Sequence, residues 1–273
     1  MNIDFVFDEI RRRRKLLLSA IIGTAAATCL LLLLQRPVYK SEAVYTAANP
    51  NMGDRSNIYR NQFWEQYFYF GSEVDNDRLM AISQSEEMFR WVIDSFQLRT
   101  HYRISDTGSN GTYKTLLRLK DDVQLSKNEY GHVKIMVWDE DKQLAAAIAN
   151  AMVAQTHRRA ISFSNNMKQS ILDKLEKEYQ LQRDSLQILT GTDALAAARR
   201  TALIDQILEK EKLIQQFRTS INEVPALFLI QSALPALKKD KPKVLQGTVI
   251  ASVSAFFFSV LLLLMPVVRA RIS

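Results

Sequence analysis

The residues that could carry out catalytic chemistry in this sequence are few, and they are not arranged as catalytic sets. His101, His132 and His157 have no partner at metal-ligand spacing, so we interpret them as solvated or structural side chains. The sequence contains no Gly-x-x-x-x-Gly-Lys-Ser/Thr phosphate-binding loop and no Gly-x-Ser-x-Gly nucleophile motif. We therefore expect no enzymatic activity, no cofactor and no bound metal.

Two pairs of adjacent carboxylates are the remaining candidates for acid–base chemistry. They are Glu86 with Glu87 and Asp121 with Asp122, and neighbouring side chains on a helix or a strand point apart. The acidic run Asp139-Glu-Asp-Lys stands at a predicted helix start, where negative charge interacts favourably with the helix dipole. Structural roles are sufficient to explain these carboxylates.

Two long segments without charge dominate the hydropathy pattern. Residues 16–34 and 245–268 are 19 and 24 residues long and contain no charged side chain. A helix needs about 20 apolar residues to cross a hydrocarbon core of about 30 Å, so both segments are predicted transmembrane helices. A simple soluble enzyme is thereby excluded. A cleaved signal peptide is disfavoured for the first segment, because its apolar run is long and no small-residue cleavage site follows it.

The charges beside the two segments predict how the chain is oriented. Basic residues close to a span favour the cytoplasmic side of the membrane. They are Arg11, Arg12, Arg13, Arg14 and Lys15 before the first span, and Arg269 and Arg271 after the second. We therefore expect residues 1–15 and 269–273 in the cytoplasm and residues 36–244 outside the cytoplasmic membrane.

The basic net charge is mostly explained by this topology. Seven of the 36 Lys and Arg and three of the 29 Asp and Glu lie at the termini, which leaves a net charge of +3 in the middle of the chain. We therefore predict no nucleic-acid partner. The single cysteine, Cys29, lies inside the first span, so an intrachain disulfide is impossible.

Residues 36–160 mix short strands and helices and are predicted to form an α/β base domain. An aromatic-rich stretch at residues 59–70 is interpreted as a helix on the core, with a membrane-interface belt or a subunit contact as alternatives. The other predicted elements are a half-buried strand at 38–47, a helix at 85–98 that Ser85 caps, a polar loop at 105–112, a short helix that ends near Leu119, and two strands at 123–126 and 131–138.

The longest helical pattern starts at Asp141, continues to about Leu189, and is followed by a second helix. Stretches 162–189 and 194–222 each carry a heptad seam and are about 40 Å long, so we predict that residues 161–222 form an antiparallel hairpin. The apolar seam residues are Leu172, Leu175, Tyr179, Leu186 and Leu189 on the first helix and Leu203, Ile207, Ile214, Phe217 and Ile221 on the second.

A connector, residues 223–244, leads from the hairpin to the second span. It begins with a predicted returning strand at 226–231 and continues through Pro235, Pro242 and Lys243 towards Gly247 in the span. The two prolines favour an extended, fairly stiff backbone. The predicted fold class is thus an α+β membrane protein in which two transmembrane helices flank an α/β base with a projecting helical hairpin.

Three stretches, in a fixed order, carry a family resemblance over nearly the whole chain. They are Ile82-Ser-Gln-Ser-Glu-Glu-Met-Phe-Arg-Trp-Val-Ile; then Gly131-His-Val-Lys-Ile-Met-Val-Trp-Asp-Glu-Asp with Leu144-Ala-Ala-Ala-Ile-Ala-Asn; and Ala233-Leu-Pro-Ala-Leu-Lys-Lys-Asp-Lys-Pro-Lys-Val. This set resembles the Wzz-type polysaccharide chain-length determinants, also called polysaccharide co-polymerases. The chain departs from that family in its sparser prolines, in the fewer small residues of the second span, and in a shorter hairpin than the longest members have.

The resemblance implies an inner-membrane, homo-oligomeric ring whose central domain is periplasmic. It also implies that the protein modulates the length of a surface polysaccharide through a separate polymerase and lipid-linked polysaccharide, without making a bond itself. Members with a fused cytoplasmic kinase are not expected, because only five residues follow the second span. The alternatives are a scaffold or adaptor of another envelope export or secretion complex and, with less support, a two-span sensor.

Overall fold

The structure is a computed structural model and describes residues 14–49, 70–106, 108–190, 194–221 and 225–272. Its helices are α1 (Arg14–Leu34), α2 (Glu73–Ser83), α3 (Glu86–Ser95), α4 (Leu98–His101), α5 (Gly108–Asp122), α6 (Lys142–Ile188), α7 (Ala194–Ser220) and α8 (Val244–Ile272). Its strands are β1 (Tyr39–Ala47), β2 (Val123–Lys127), β3 (Val133–Asp139) and β4 (Leu227–Gln231). The chain divides into two compact units, which are described separately.

The first unit joins residues 1–40, 138–145 and 235–273 and contains both apolar helices. Windows 17–34 of α1 and 244–261 of α8 have mean hydropathies of 2.4 and 1.9, and both helices are long and apolar enough to cross a membrane. Their large side chains are mostly exposed, which is unlike the core helix of a soluble protein. The two helices pack closely at Gly247, where an added Cβ would lie 2.6 Å from Leu32 Cδ1.

The second unit joins residues 41–137 and 146–234 and holds most of a four-stranded sheet with the order β2-β3-β1-β4. β2 and β3 form an antiparallel hairpin, and β1 pairs antiparallel with β4. In the turn between β2 and β3, the Asn128 side-chain oxygen accepts hydrogen bonds from the backbone N–H groups of Tyr130 and His132. Gly131 adopts a φ of +77°, which glycine tolerates without strain.

The prediction of a half-buried first strand was wrong over most of β1. Residues 43–48 are buried on both faces, and Tyr45 is fully inaccessible. The reason is topological: β1 is an inner strand of the sheet, between β3 and β4. A nearly continuous run of small and apolar residues is the sequence signature of such a strand.

The helices of the second unit differ from their predicted pattern in three places. The predicted helix at 85–98 is interrupted, because α3 ends at Ser95 and Gln97 adopts a positive φ of 49° before α4 begins. The predicted polar loop at 105–112 is wrong from Gly108 onward, because α5 already begins there. Helix α2 was missed, since only Leu79 among its large apolar residues is buried. Its sequence signal is a capping box, in which the Ser72 side chain accepts from the Asp75 N–H and Asp75 accepts from the Ser72 N–H. The aromatic stretch at 59–69 lies outside the described residues.

The core of the second unit lies between the sheet, α3 and the first part of α6. Ser85 caps α3 through the Met88 N–H, as the sequence indicated. A chain of buried hydroxyls crosses this core: Tyr45 Oη lies 2.7 Å from Ser83 Oγ, which lies 2.8 Å from Thr156 Oγ1. Burial raises the pKa of the Tyr45 phenol well above its usual value, so it remains protonated. The apolar side chains buried here include Val44, Phe89, Val92, Ile135, Val137 and Ile148.

Candidate functional site

The predicted hairpin, called the arm below, consists of α7 and the part of α6 that follows Ala160. The two helices are antiparallel, because side chains late in α6 meet side chains early in α7 and the order reverses toward the other end. Gln182 Nε2 donates to Gln206 Oε1 at 3.1 Å, and Arg200 donates to the Leu189 carbonyl at 2.7 Å. Residues 191–193, which join the helices, lie outside the described residues.

The predicted seam residues are all buried or half-buried in this pair, and two of them, Leu189 and Ile221, lie just beyond the ends of α6 and α7. Leu172 and Ile214 are buried, with 5% of each exposed. The other eight are half-buried, namely Leu175, Tyr179, Leu186, Leu189, Leu203, Ile207, Phe217 and Ile221. The cross-helix contacts set a register in which Leu175 is level with Ile214 and Leu172 with Phe217. One chain thus supplies both sides of the seam.

Ion pairs flank the seam. Lys210 lies 2.6 Å from Glu178, and Arg218 lies 2.6 Å from Glu176. The Lys210 ammonium lowers the pKa of the exposed Glu178 carboxyl. Exposed pairs of this kind contribute little stability, so we assign them mainly to the register of the two helices.

A groove of about 770 Å³ runs along one face of the arm beside these ion pairs. Four carboxylates line it, together with Lys177, Arg218 and Tyr179. The carboxylates belong to Asp173, Glu176, Asp184 and Glu211. Carboxylates and an aromatic ring can contact sugar hydroxyls and sugar faces, but solvated charge on a helical arm has the same composition.

Within the first unit, the connector is hydrogen-bonded to the segment that follows α1. The Val38 N–H donates to the Lys241 carbonyl at 3.0 Å, and the Asp240 N–H donates to the Val38 carbonyl at 2.8 Å. Pro242 follows a cis peptide bond after Lys241, and Lys243 immediately precedes α8. Pro235, in contrast, lies before this bridge, exposed in a stretch without regular secondary structure.

The residues predicted to set topology are only partly described. Arg11, Arg12 and Arg13 lie outside the described residues. Arg14 begins α1, Lys15 is exposed on it, and Arg269 and Arg271 belong to the last turns of α8.

The candidates for acid–base chemistry lie in separate places. Glu86 pairs with Arg90 at 2.7 Å, whereas Glu87 pairs with Arg159 at 2.8 Å, so the two adjacent carboxylates point apart. His101 lies in α4, His132 before β3 and His157 in α6. Within the described ranges, no group of three or more His, Cys, Asp or Glu side chains could hold a metal ion.

Acidification is expected to destabilise the second unit through His157. Burial lowers the pKa of this half-buried imidazole below its usual value of about 6.5. The unfolded state then binds more protons than the folded state below about pH 6.5, so stability is present above that pH and is lost as the pH falls. His157→Gln should reduce the drop in thermal unfolding temperature between about pH 8 and pH 5.5. An unchanged drop would assign the pH dependence to other groups.

Asn150 is a structural residue whose role sequence reasoning missed. Its side-chain Nδ2 donates to the Ala233 carbonyl at 2.9 Å, and its Oδ1 accepts from the Ala233 N–H at 2.8 Å. This pair of bonds attaches the chain that follows β4 to α6. The available signal was the asparagine at the end of Ala-x-x-Ile-Ala-Asn on an otherwise apolar helix face, where an amide needs a partner.

No protein-family model and no curated protein sequence matches the chain. Its structure is similar to that of a full-length bacterial polysaccharide co-polymerase, at 12% identity and a TM-score of 0.41, with 97% of each chain covered. It is also similar to a fragment of WzzB, a polysaccharide co-polymerase from Salmonella Typhimurium, at 12% identity and a TM-score of 0.37, covering 75% of this chain and all of that fragment.

A further similar structure is a mutant of WzzBSF, the lipopolysaccharide O-antigen chain-length regulator of Shigella flexneri. Identity is 10% and the TM-score 0.24, over 74% of this chain and all of that one. These three structures are those of polysaccharide co-polymerases and of an O-antigen chain-length regulator.

Proposed function

We propose that this protein is a non-catalytic regulator of surface-polysaccharide chain length in the bacterial inner membrane. The polymer is an O-antigen, a capsule or an exopolysaccharide, and a separate polymerase makes its bonds. The observation that carries the proposal is the arm: an antiparallel helix pair with its own seam, in a chain with two apolar helices whose windows 17–34 and 244–261 are almost entirely unburied. The ordered sequence motifs of the family support the same reading.

The proposed mechanism is geometric. A regulator that forms no bond can influence a polymerase only by what it holds in place and for how long. The seam and the Lys210–Glu178 and Arg218–Glu176 pairs favour one alignment of the two arm helices. The groove beside them would be available to polymer hydroxyls. In this proposal residues 36–160 form the periplasmic base, 161–222 the arm and 223–244 the connector, with both termini cytoplasmic.

We further propose that the functional form is a homo-oligomer. Several large apolar side chains of the arm face away from the seam, including Leu181, Ile188, Leu195 and Leu208, each more than half exposed. Contacts between copies of the chain would remove such side chains from water, with a favourable free energy of about 25 cal/mol per Å². The other proposed partners are membrane lipid, the polymerase and lipid-linked polysaccharide, and no nucleic acid.

Deletion of the gene is expected to change the length distribution of the surface polysaccharide without abolishing polymer. A gel that separates the polymer by length measures this, and the wild-type gene supplied on a plasmid should restore the original distribution. If deletion of the gene left the length distribution of the polysaccharide unchanged, the proposal would be contradicted. Complete loss of surface polymer would favour the alternative, a scaffold of an export complex.

A further inference from the structure

Three segments meet beside the ends of the apolar helices: the segment that follows α1, the connector that precedes α8, and the end of β3. α1 ends at Leu34 and α8 begins at Val244, and the bridge between Val38 and Lys241 joins the chain that leaves one span to the chain that enters the other. Arg36 Nη1 lies 3.0 Å from Glu140 Oε2, which attaches the end of β3 to the same place. Once α1 and α8 cross a bilayer, residues this close to their ends lie at the level of the lipid headgroups.

Trp138 is the centre of this cluster. Its indole Nε1 donates to Asp240 Oδ2 at 2.7 Å, while the ammonium groups of Lys40 and Lys241 lie 5.7 and 5.1 Å from the ring centroid. Both distances are within the range of cation–π attraction. The ring is half-buried, and tryptophan is enriched at membrane–water interfaces because it combines an apolar body with one polar N–H group.

The connector beside Trp138 is strongly basic. Residues 235–243 contain four lysines and one carboxylate, and the carboxylate is already bonded to the indole. Lys238, Lys239, Lys241 and Lys243 are all exposed, and among the described residues none of them forms an ion pair with a carboxylate. Positive charge at this depth complements the phosphate groups of anionic lipid.

One apolar side chain of the connector has no protein contact to explain it. Leu237 is completely exposed, next to Lys238 and Lys239, and Leu245 in the first turn of α8 is 79% exposed. Lysines beside an exposed leucine and a tryptophan form the pattern of a segment that lies in the membrane interface, with charge at the phosphates and apolar groups below them.

We propose that this connector and Trp138 form a binding site for anionic phospholipid. The lysines bind the lipid phosphate, Leu237 enters the acyl-chain boundary, and the indole lies at the same depth. The site fixes where the two spans meet the membrane surface. The proposal rests on α1 and α8 crossing the membrane, which is part of the proposed function, but it does not require a role in polysaccharide length.

Native mass spectrometry of the full-length protein in a neutral detergent tests this site. Phosphatidylglycerol or phosphatidylcholine is added, and bound lipid is counted. We expect preferential binding of phosphatidylglycerol that weakens with salt, and a loss of affinity of about tenfold in the variant Lys238→Gln with Lys239→Gln and Lys243→Gln. Equal binding of the two lipids, or no effect of the substitutions, would overturn the proposal.

A matched control removes the same charge from the arm. Lys174→Gln with Lys177→Gln and Lys212→Gln changes three exposed lysines on α6 and α7 and should leave lipid binding unchanged. A polyisoprenyl diphosphate is added in competition. Displacement of phosphatidylglycerol by a small excess of that lipid would show a site for a lipid-linked diphosphate instead, which would also overturn the proposal.

A second readout does not depend on affinity. Trp64→Phe with Trp91→Phe leaves Trp138 as the only tryptophan of the chain. In lipid nanodiscs its fluorescence should be quenched by lipid brominated near the headgroup, more strongly for phosphatidylglycerol than for phosphatidylcholine. Absence of quenching would place Trp138 away from the membrane and contradict the proposal, whatever the polysaccharide phenotype is.

Discussion

Replacing Leu175 and Ile214 together by alanine is expected to abolish control of polymer length while the protein still accumulates in the membrane. These residues are level with each other in the arm, and Ile214 is buried. Truncation of a buried Leu or Ile to Ala typically costs about 2–5 kcal/mol, and the half-burial of Leu175 places its cost at the lower end. The sheet has its own core, so the loss should be confined to the arm.

Two measurements separate loss of the arm from loss of the protein. Hydrogen exchange should become faster in α7 and stay slow in β1 and β3, and the surface polysaccharide should show the same length profile as the deletion strain. Lys174→Ala with Lys212→Ala, at exposed positions on the same two helices, is the control and should be silent.

The three histidines provide the opposing test. Changing His101, His132 and His157 to glutamine should have far less effect on polymer length than the seam change. If the histidine changes abolished length control and the seam change were silent, the geometric mechanism would be wrong. A metal or acid–base role would then be needed to explain the result.

Asn150→Ala is expected to destabilise the second unit strongly, although the substitution removes only one polar group. It eliminates both hydrogen bonds to the backbone of Ala233, and Ala233 itself is buried. An unsatisfied buried backbone group costs about 1–3 kcal/mol, so the expected loss for two groups is about 2–5 kcal/mol. Thermal unfolding in detergent measures the loss, and hydrogen exchange should increase first at Ala233.

Ser41→Ala is a matched control for that substitution. The Ser41 hydroxyl donates a single bond of 3.0 Å to the neighbouring carbonyl of Leu234, so its removal should cost less than the loss of the Asn150 amide. Asn150→Asp keeps the acceptor for the Ala233 N–H and removes the donor, and we expect an intermediate effect. If Asn150→Ala unfolded at the temperature of the wild type, the two hydrogen bonds would not hold this segment.

Patterns with a short period were readable from the sequence. The two apolar helices follow from charge-free runs, and the helices of the arm follow from heptads, because both signals depend only on residues within a few turns of each other. The turn at Asn128 and the cap at Ser85 are local for the same reason. Helix α2 was missed because its single buried large side chain, Leu79, leaves almost no periodic signal.

The sequence by itself determined the parts: two candidate spans, an arm with a heptad seam, and a mixed α/β segment before it. Tertiary structure alone decided which residues meet across long separations. It placed β1 inside the sheet, joined Asn150 to Ala233, and brought Trp138 to Asp240 beside Lys241. Such pairings depend on the packing of elements that are distant in the chain, and no local pattern of residue types specifies which distant partner a polar group will find.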